Sequence, residues 1–236
     1  MERIYFVSGI DTGVGKTIAT GMMGRFLRRQ GIPAATVKLV QTGCHGFSED
    51  LLLHRQLMEI APLPEDADGL TFPQTFDFPA SPHLAAAKEG RQVDCQAMAQ
   101  AVETLSQRYP VTLVEGAGGL AVPLTEALLT VDFVALQGWP VVLVCSGKLG
   151  SLNHALLSLE ALRHRKMRLA GIVYNYCPEA DPLIDQDTPR MLQEALARDW
   201  GGAPLVRLGK VDCQAPGNTP MPDFQPLFSH RQEDLR

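Results

Sequence analysis

A glycine-rich segment near the N-terminus combines the residue types that bind phosphate. It runs from Gly9 to Thr17 and ends in a Gly-Lys-Thr triplet. Glycines let backbone N–H groups approach phosphate oxygens where a Cβ would collide, and the dipole of a helix that begins there favours an anion. The lysine would place its charge on the terminal phosphates, and the threonine hydroxyl would ligate Mg²⁺. The segment therefore predicts a phosphate-binding loop.

The spacing of this loop departs from the most common form. Five residues rather than the usual four separate Gly9 from the pair Gly15 and Lys16. Read from its C-terminal end, the loop resembles the deviant phosphate loop, Lys-Gly-Gly-x-Gly-Lys-Thr, of a nucleotidase class that often works as dimers. Asp11 stands where that class has its signature lysine, and Thr12 replaces a glycine. A second cation is therefore expected near the transferred phosphate.

Three further residues suit phosphoryl transfer. Glu115 ends an apolar run and precedes glycines, a place where phosphate-loop proteins use an acidic residue to help hold Mg²⁺. Ser48 is predicted to cap a helix, and Asp50 lies in the first turn of that helix, where the helix dipole alone also explains it. Glu115, Asp50 and Thr17 would together supply hard oxygen ligands for Mg²⁺. Lys38, near the end of a predicted strand, is either a strand-edge residue or the second cation.

Polar residues after other predicted strands are candidates for substrate or base contacts. Thr42 could hydrogen-bond a small polar substrate or cap a turn. The segment from Lys148 to Asn153 opens a predicted helix whose N–H groups suit a carboxylate, unless Ser151 simply caps that helix. Asn175 could read a base through its amide or bind the backbone of a turn.

The elements that would position these residues alternate between strand and helix. Strands are predicted at 4–7, 34–40, 111–115, 141–145, 169–174 and 204–208. Helices are predicted at 18–30, 48–58, 83–88, 95–107, 151–166 and 187–200, the last with Asp187 or Thr188 as its cap and Pro189 in its first turn. Residues 62–82 are predicted to be an extended loop. The alternation predicts an α/β fold with a parallel β-sheet flanked by helices, in which ligands bind beyond the carboxyl ends of the strands.

Composition narrows the class of protein. The 236 residues, 45% hydrophobic and 20% charged, fit a single α/β domain over 1–236, of which about 209–236 has no assignable pattern. A net charge of −5 argues against a broad nucleic-acid-binding surface. No signal peptide or membrane-spanning run is visible, and five scattered cysteines without a Cys-x-x-Cys pair favour reduced thiols. We therefore expect a cytoplasmic protein that binds neither nucleic acid nor membranes.

Several of these segments, in this order, resemble the ATP-dependent dethiobiotin synthetase family. The matching segments are Gly9 to Thr17, Lys38 to Gly43, Ser81-Pro82-His83, Val114 to Gly119, Lys148 to Gly150 with Asn153-His154-Ala155, and Gly171 to Asn175. The pairing of Asp-Thr-x-Val-Gly-Lys-Thr with Val-Glu-Gly-Ala-Gly-Gly is specific, whereas the phosphate loop alone is not. The resemblance implies a phosphate-loop NTPase fold and a homodimer.

The resemblance also implies a reaction and roles for residues. 7,8-Diaminopelargonate and CO₂, from bicarbonate, would be joined at the expense of ATP into the cyclic urea of dethiobiotin, with Lys16 and Lys38 neutralising charge on the phosphoryl group and carbamate. Mg²⁺ would be held by Thr17, Asp50 and Glu115. The nucleotide would contact Gly13, Val14, Gly15, Lys16, Thr17, Ile18, Asp50, Glu115, Gly116, Ala117, Gly118 and Asn175. The substrate would contact Thr12, Thr42 and Gly118, and its carboxylate would meet the helix start at Gly150, Ser151, Leu152 and Asn153 from the partner subunit.

The chain departs from the family pattern in two places. Gly209 to Asp212 replaces the Gly-x-Ile-Pro segment that helps to hold the base, and Pro178 to Asp187 contains no tyrosine for the substrate carboxylate.

Two other functions compete with this one. A cobyrinate-type amide synthetase would need a glutaminase domain, for which no length remains after Leu208. A nucleotide-switched ATPase of the partitioning type would keep the lysine that Asp11 replaces.

Overall fold

The described part of the chain contains eight β-strands, and three of them end at residues singled out above, namely Lys38, Thr42 and Asn175. In chain order the strands are β1 (Ile4–Gly9), β2 (Ala34–Lys38), β3 (Gln41–Thr42), β4 (Thr75–Phe76), β5 (Val111–Gly119), β6 (Val141–Ser146), β7 (Leu169–Asn175) and β8 (Leu205–Leu208). The computed structural model describes residues 2–178 and 180–229. Within them, six strands form a parallel sheet in the order β2-β5-β1-β6-β7-β8, and β3 pairs with β4 in a small separate sheet. The predicted parallel sheet is therefore confirmed.

Helices cover both faces of the main sheet. In the described part of the chain they are α1 (Lys16–Arg29), α2 (Glu49–Met58), α3 (Pro64–Ala67), α4 (Pro82–Lys88), α5 (Cys95–Arg108), α6 (Thr130–Gln137), α7 (Ser151–His164), α8 (Pro182–Asp199) and α9 (Gln225–Ser229). Successive side chains of a strand point to opposite faces. Accordingly Phe6 of β1 belongs to the apolar cluster that contains Leu105 of α5, whereas Tyr5 and Val7 belong to the cluster that contains Met22 of α1. The central strands are apolar along their length because both faces are buried. Among the described helices, none combines the length and apolarity needed to cross a bilayer.

The start of the last long helix was predicted wrongly. α8 begins at Pro182 rather than Asp187, and its N-cap is Asp181, whose side chain accepts a hydrogen bond from the backbone N–H of Leu183. Proline at the first helical position lacks only an N–H that has no partner there, so it favours helix initiation. Pro189 consequently lies inside the helix instead of in its first turn.

Three other regions contain structure that the sequence pattern did not reveal. The predicted loop 62–82 contains α3 and β4, and α6 lies in a stretch with no predicted element. The unassigned C-terminal region forms a 3₁₀ turn at Pro216–Asn218 and the helix α9. Its aromatic residues Phe224 and Phe228 pack on Phe26 of α1. These short elements escape periodicity arguments because each is held by tertiary contacts rather than by its own pattern.

A buried ion pair fixes α2 against the edge of the sheet. Arg55 of α2 donates from Nε and Nη2 to the two carboxylate oxygens of Asp66, at 2.8 and 2.7 Å. Nη1 of Arg55 donates to the Thr36 hydroxyl of β2 at 2.7 Å. Two parallel bonds between guanidinium and carboxylate set both distance and orientation. The helix is thus positioned relative to β2, the strand that ends at Lys38.

Candidate active site

The phosphate-binding loop joins β1 to α1 and is shaped by Gly15. This residue is the N-cap of α1 and has φ 95°, a left-handed conformation that favours glycine. A Cβ at Gly15 would lie 1.9 Å from Nδ2 of Asn175, at the end of β7. The same Nδ2 donates a hydrogen bond to the carbonyl oxygen of Val14 at 3.1 Å. Of the two roles predicted for Asn175, the structure therefore displays the contact with a turn of the backbone.

Lys16 opens α1 and is buried. Its Nζ donates to the carbonyl oxygen of Asp11 at 2.9 Å, so the loop curls around the ammonium group. Burial, together with the nearby charge of Lys38, lowers the pKa of Lys16 to about 8, against the opposing effects of Glu115 and Asp50. The charge of Lys16 is therefore poorly compensated by the protein alone, which suits a group that receives an anion.

Lys38 and Glu115 meet beside this loop because their strands are adjacent. They are register partners in the parallel pair β2 and β5, and both side chains are buried. Lys38 Nζ lies 2.8 Å from Glu115 Oε1, 2.6 Å from Asp50 Oδ2 and 3.2 Å from the carbonyl oxygen of Gly116. Burial would lower the pKa of Lys38, but the two carboxylates outweigh it and hold the pKa above its usual value. Lys38 is thus a charged residue in the site and not a solvent-exposed strand-edge residue.

Three oxygen donors converge next to Lys38. Thr17 Oγ1 lies 3.1 Å from Asp50 Oδ1 and 3.0 Å from Glu115 Oε1. The predicted cap is confirmed, because Ser48 Oγ accepts a hydrogen bond from the N–H of Leu51 and places Asp50 in the first turn of α2. Mg²⁺ prefers such hard oxygens and is usually bound by one or two carboxylates together with phosphates of the substrate. The donor set therefore fits Mg²⁺ bound together with phosphates, although the described residues contain no group of three His, Cys, Asp or Glu side chains that could hold a metal ion by themselves.

Sequence reasoning missed His54, which completes this cluster. Its Nε2 lies 2.7 Å from Glu115 Oε2, and the side chain has no exposure to solvent. The available signal was its spacing, because His54 follows Asp50 by one helical turn and residues four apart share a helix face. That signal could be interpreted only with the knowledge that this face of α2 lies against Glu115 of β5.

A cavity of about 730 Å³ opens over these groups. Most residues expected to contact nucleotide, metal or substrate line it, and the expected residues found there are Thr12, Gly13, Gly15, Lys16, Thr17, Ile18, Lys38, Thr42, Asp50, Glu115, Ala117 and Gly118. The lining residues that were not predicted are mostly apolar, and they include Val40, Leu53, Val122 and the segment 79–82. The cavity therefore combines a polar end, formed by the charged groups around the loop, with less polar lining that includes Val40 and the start of α4.

Some expected residues lie elsewhere. Val14, Gly116 and Asn175 sit next to the loop or Lys38 without lining the cavity, and the α7 start at residues 150–153 is also outside its lining. Gly150, with φ 93°, is the N-cap of α7, and no side-chain hydrogen bond caps this helix in the described part of the chain. The alternative that Ser151 caps α7 is therefore wrong. Ser151 is instead the first helical residue, and its hydroxyl lies 3.4 Å from that of Ser146.

Comparisons with known proteins agree with this architecture. A family model described as an AAA domain matches residues 3–212. The solved structure of pNOB8 ParA bound to nonspecific DNA superposes with a TM-score of 0.54, covering 90% of this chain and 86% of that chain. The two sequences are only 13% identical, so this likeness shows the fold alone.

Sequence similarity is much higher to one group of enzymes. The chain is 44% identical to ATP-dependent dethiobiotin synthetase BioD 2 of Pasteurella multocida over 84% of this chain and 93% of that protein. It is 45% identical to the ATP-dependent dethiobiotin synthetase BioD of Chlorobaculum tepidum over 92% of this chain and 91% of that protein. The chain belongs to the ATP-dependent dethiobiotin synthetase family.

Proposed function

We propose that this protein forms the cyclic urea of dethiobiotin from 7,8-diaminopelargonate, CO₂ and ATP. One amine of the substrate adds to CO₂ and loses a proton, which gives a carbamate. A carbamate oxygen attacks the γ-phosphorus, so ADP leaves and a carbamic–phosphoric anhydride forms. The second amine attacks the carbonyl carbon of this anhydride, a C–N bond forms as this amine loses a proton, and inorganic phosphate leaves with closure of the ring.

The observation that carries this proposal is the arrangement of two buried lysines at the polar end of one cavity. Lys16 belongs to the phosphate-binding loop, and Lys38 lies close enough to lower the pKa of Lys16. Phosphoryl transfer depends mainly on positioning and on neutralising charge. Lys16 would take the terminal phosphates, and Lys38 would face the carbamate and the transferred group. Lys38 thus supplies the cation that is missing at Asp11.

The metal would be held by Thr17, Asp50 and Glu115, whose oxygens converge beside Lys38. When bound, Mg²⁺ would neutralise charge on the phosphate oxygens of the nucleotide. Gly13 to Ile18 would bind the phosphates through backbone N–H groups, with Asn175 supporting the loop at Val14. Thr12, Thr42 and Gly118 would orient the diamine, and the apolar wall with Val40 and Val122 would pack along its hydrocarbon chain.

The substrate carboxylate would be bound by the partner subunit of a homodimer. The start of α7 lies outside the cavity of its own protomer, and this region exposes Leu149 (83%), Leu156 (38%) and Leu157 (56%). Clustered exposed leucines favour burial against another surface. A homodimer that buries them could bring the N–H groups at 150–153 to the less polar lining of the partner's cavity. We also propose a cytoplasmic location, which the scattered cysteines support.

The test is product formation from defined substrates. Purified protein is incubated with ATP and Mg²⁺ and with combinations of the diamine and bicarbonate, and phosphate release and dethiobiotin are measured together by colorimetry and mass spectrometry. The expected result is one phosphate released per dethiobiotin formed, and little release when the diamine is omitted. Release that responds to DNA or lipid instead, without product, would support a nucleotide-switched ATPase and contradict the proposal.

A further inference from the structure

Behind the polar end of the cavity lies a second layer of the site. His54 of α2 is completely buried, and its Nε2 lies 2.7 Å from Glu115 Oε2. The other carboxylate oxygen, Oε1, faces Lys38 Nζ at 2.8 Å and Thr17 Oγ1 at 3.0 Å. The two oxygens of Glu115 are therefore divided between different partners, one behind the site and one within it.

The direction of the hydrogen bond follows from the charge on Glu115. Glu115 Oε1 forms a buried ion pair with Lys38 Nζ at 2.8 Å, so the carboxylate of Glu115 carries the negative charge of that pair. An ionised carboxylate only accepts hydrogen bonds, so the proton must be on His54 Nε2. The imidazole therefore donates to Glu115 Oε2.

The other ring nitrogen of His54, Nδ1, makes histidine an unfavourable residue for filling the protein interior at this position. His54 Nδ1 is buried and has no hydrogen-bond partner within residues 2–178 and 180–229. A buried polar group without a hydrogen-bond partner destabilises the folded state. An aliphatic side chain such as that of leucine would avoid this cost. The imidazole is therefore best explained by what its other nitrogen does for Glu115.

We propose that His54 is a positioning residue that holds Glu115 Oε2 and thereby presents Glu115 Oε1 to the metal beside Thr17. This inference rests on the assignment of Thr17, Asp50 and Glu115 as metal ligands under the proposed function. A carboxylate fixed at one oxygen cannot rotate its other oxygen away from a ligand position. Partners of this kind behind a metal ligand typically affect metal affinity by about 10–100-fold. Because Asp50 and His54 are one turn apart on α2, the same helix supplies one ligand and orients another.

The test measures metal binding directly, without turnover. Mn²⁺ replaces Mg²⁺ as a paramagnetic probe, and its binding to the full chain with a nonhydrolysable ATP analogue is titrated by electron paramagnetic resonance. His54→Leu, which removes the donor, is expected to weaken Mn²⁺ binding about tenfold. His54→Gln, whose amide can donate to Oε2, is expected to stay within about threefold of the unmodified protein. If His54→Leu does not fold, His54→Asn takes its place, because its amide is too short to reach Oε2.

A matched control separates positioning from packing. Leu57→Ala alters an equally buried residue of α2 that has no polar side-chain atom, and it should lower thermal stability without changing Mn²⁺ affinity. Unchanged Mn²⁺ affinity in His54→Leu, equal weakening in His54→Gln, or equal weakening in Leu57→Ala would each overturn the positioning role. Unmodified protein that binds the nucleotide but no Mn²⁺ would overturn the metal assignment as well, whereas the product assay tests the proposed reaction independently.

Discussion

Lys38 and Glu115 lie 77 positions apart in the chain, yet they are register partners in adjacent parallel strands and form a buried ion pair of 2.8 Å. Glu115 Oε1 accepts from Lys38 and also lies 3.0 Å from the Thr17 hydroxyl. One carboxylate oxygen thus links a cation, a residue of the phosphate-binding loop and the expected metal position. Changes to either residue should consequently affect stability and chemistry together.

Lys38→Met should reduce dethiobiotin formation by roughly 100-fold or more, because a preorganised charge at the reacting group is lost. It should also lower the free energy of unfolding by about 3–5 kcal/mol, since Glu115 would remain buried without its cation. Product formation and urea unfolding measure the two effects. Full activity in Lys38→Met would refute the view that Lys38 compensates for Asp11.

The double variant Lys38→Met/Glu115→Gln distinguishes these effects. Removing both charges should recover most of the lost stability, because no uncompensated ion is left in the interior. Turnover should stay low, since neither the cation nor the carboxylate ligand is restored. Recovery of activity along with stability would mean that the pair is structural only.

Nucleotide binding should take up protons near pH 8. The pKa of Lys16 is about 8 in the protein, and the negative charge of a triphosphate would raise it. At pH 8 about half of the Lys16 side chains are neutral before binding and become charged afterwards, so affinity should fall as the pH rises above 8. Calorimetry of ATP-analogue binding in buffers of different ionisation enthalpy measures this uptake.

Lys16→Ala is the control for that experiment. It should remove the proton uptake and reduce turnover by roughly 100-fold or more, because the charge on the terminal phosphates is lost. Its thermal unfolding should show a folded protein, since the buried lysine makes no ion pair in the described structure. Proton uptake that persists in Lys16→Ala would assign the titration to another group.

Asp66→Asn should destabilise the protein because it breaks the buried ion pair with Arg55 that fixes α2 against the edge of the sheet. Burial would raise the pKa of Asp66, but hydrogen bonds from Arg55 and Thr71 outweigh it and lower the pKa. A carboxyl group whose pKa is lower in the folded state stabilises above its unfolded pKa, and this contribution is lost as the pH falls through the folded value. The variant should therefore lose about 3–5 kcal/mol at pH 7.

The pH dependence of that loss is the critical measurement. Urea unfolding at pH 7 and pH 3 should show a smaller difference between Asp66→Asn and the unmodified protein at the lower pH. Asp68→Asn, which changes an exposed carboxylate two residues away, should have little effect at either pH. An equal difference at pH 7 and pH 3 would mean that the carboxylate of Asp66 does not contribute to the loss of stability in acid.

An acidic residue at the start of α7 should interfere with the substrate carboxylate. Ser151→Glu should raise the KM for 7,8-diaminopelargonate roughly tenfold or more and that for ATP much less, because like charges repel across a binding contact. Ser151 is buried, so Asn153→Asp at an exposed neighbouring position provides a milder variant. Steady-state kinetics with each substrate varied measures the split, and equal increases in both KM values would remove the carboxylate assignment from this helix.

The phosphate-binding loop, the cap of α2 by Ser48 and the parallel sheet were predictable from the chain alone. Each depends on short-range chemistry, namely glycines between a strand and a helix, a hydroxyl before an acidic first turn, and apolar runs of strand length. The helix start at Asp181 was also encoded locally, but a proline at position 189 offered a competing first turn. Local signals of similar strength cannot be ranked without the packing that selects between them.

Sequence by itself determined which residues could bind phosphate and metal, whereas tertiary structure decided how they act together. The pairing of Lys38 with Glu115 follows from strand register, and the contact of His54 with Glu115 follows from the packing of α2 against β5. Both join positions more than 60 apart in the chain. Such contacts depend on chain topology, because residue spacing sets neighbours only within one turn of a helix or along one strand.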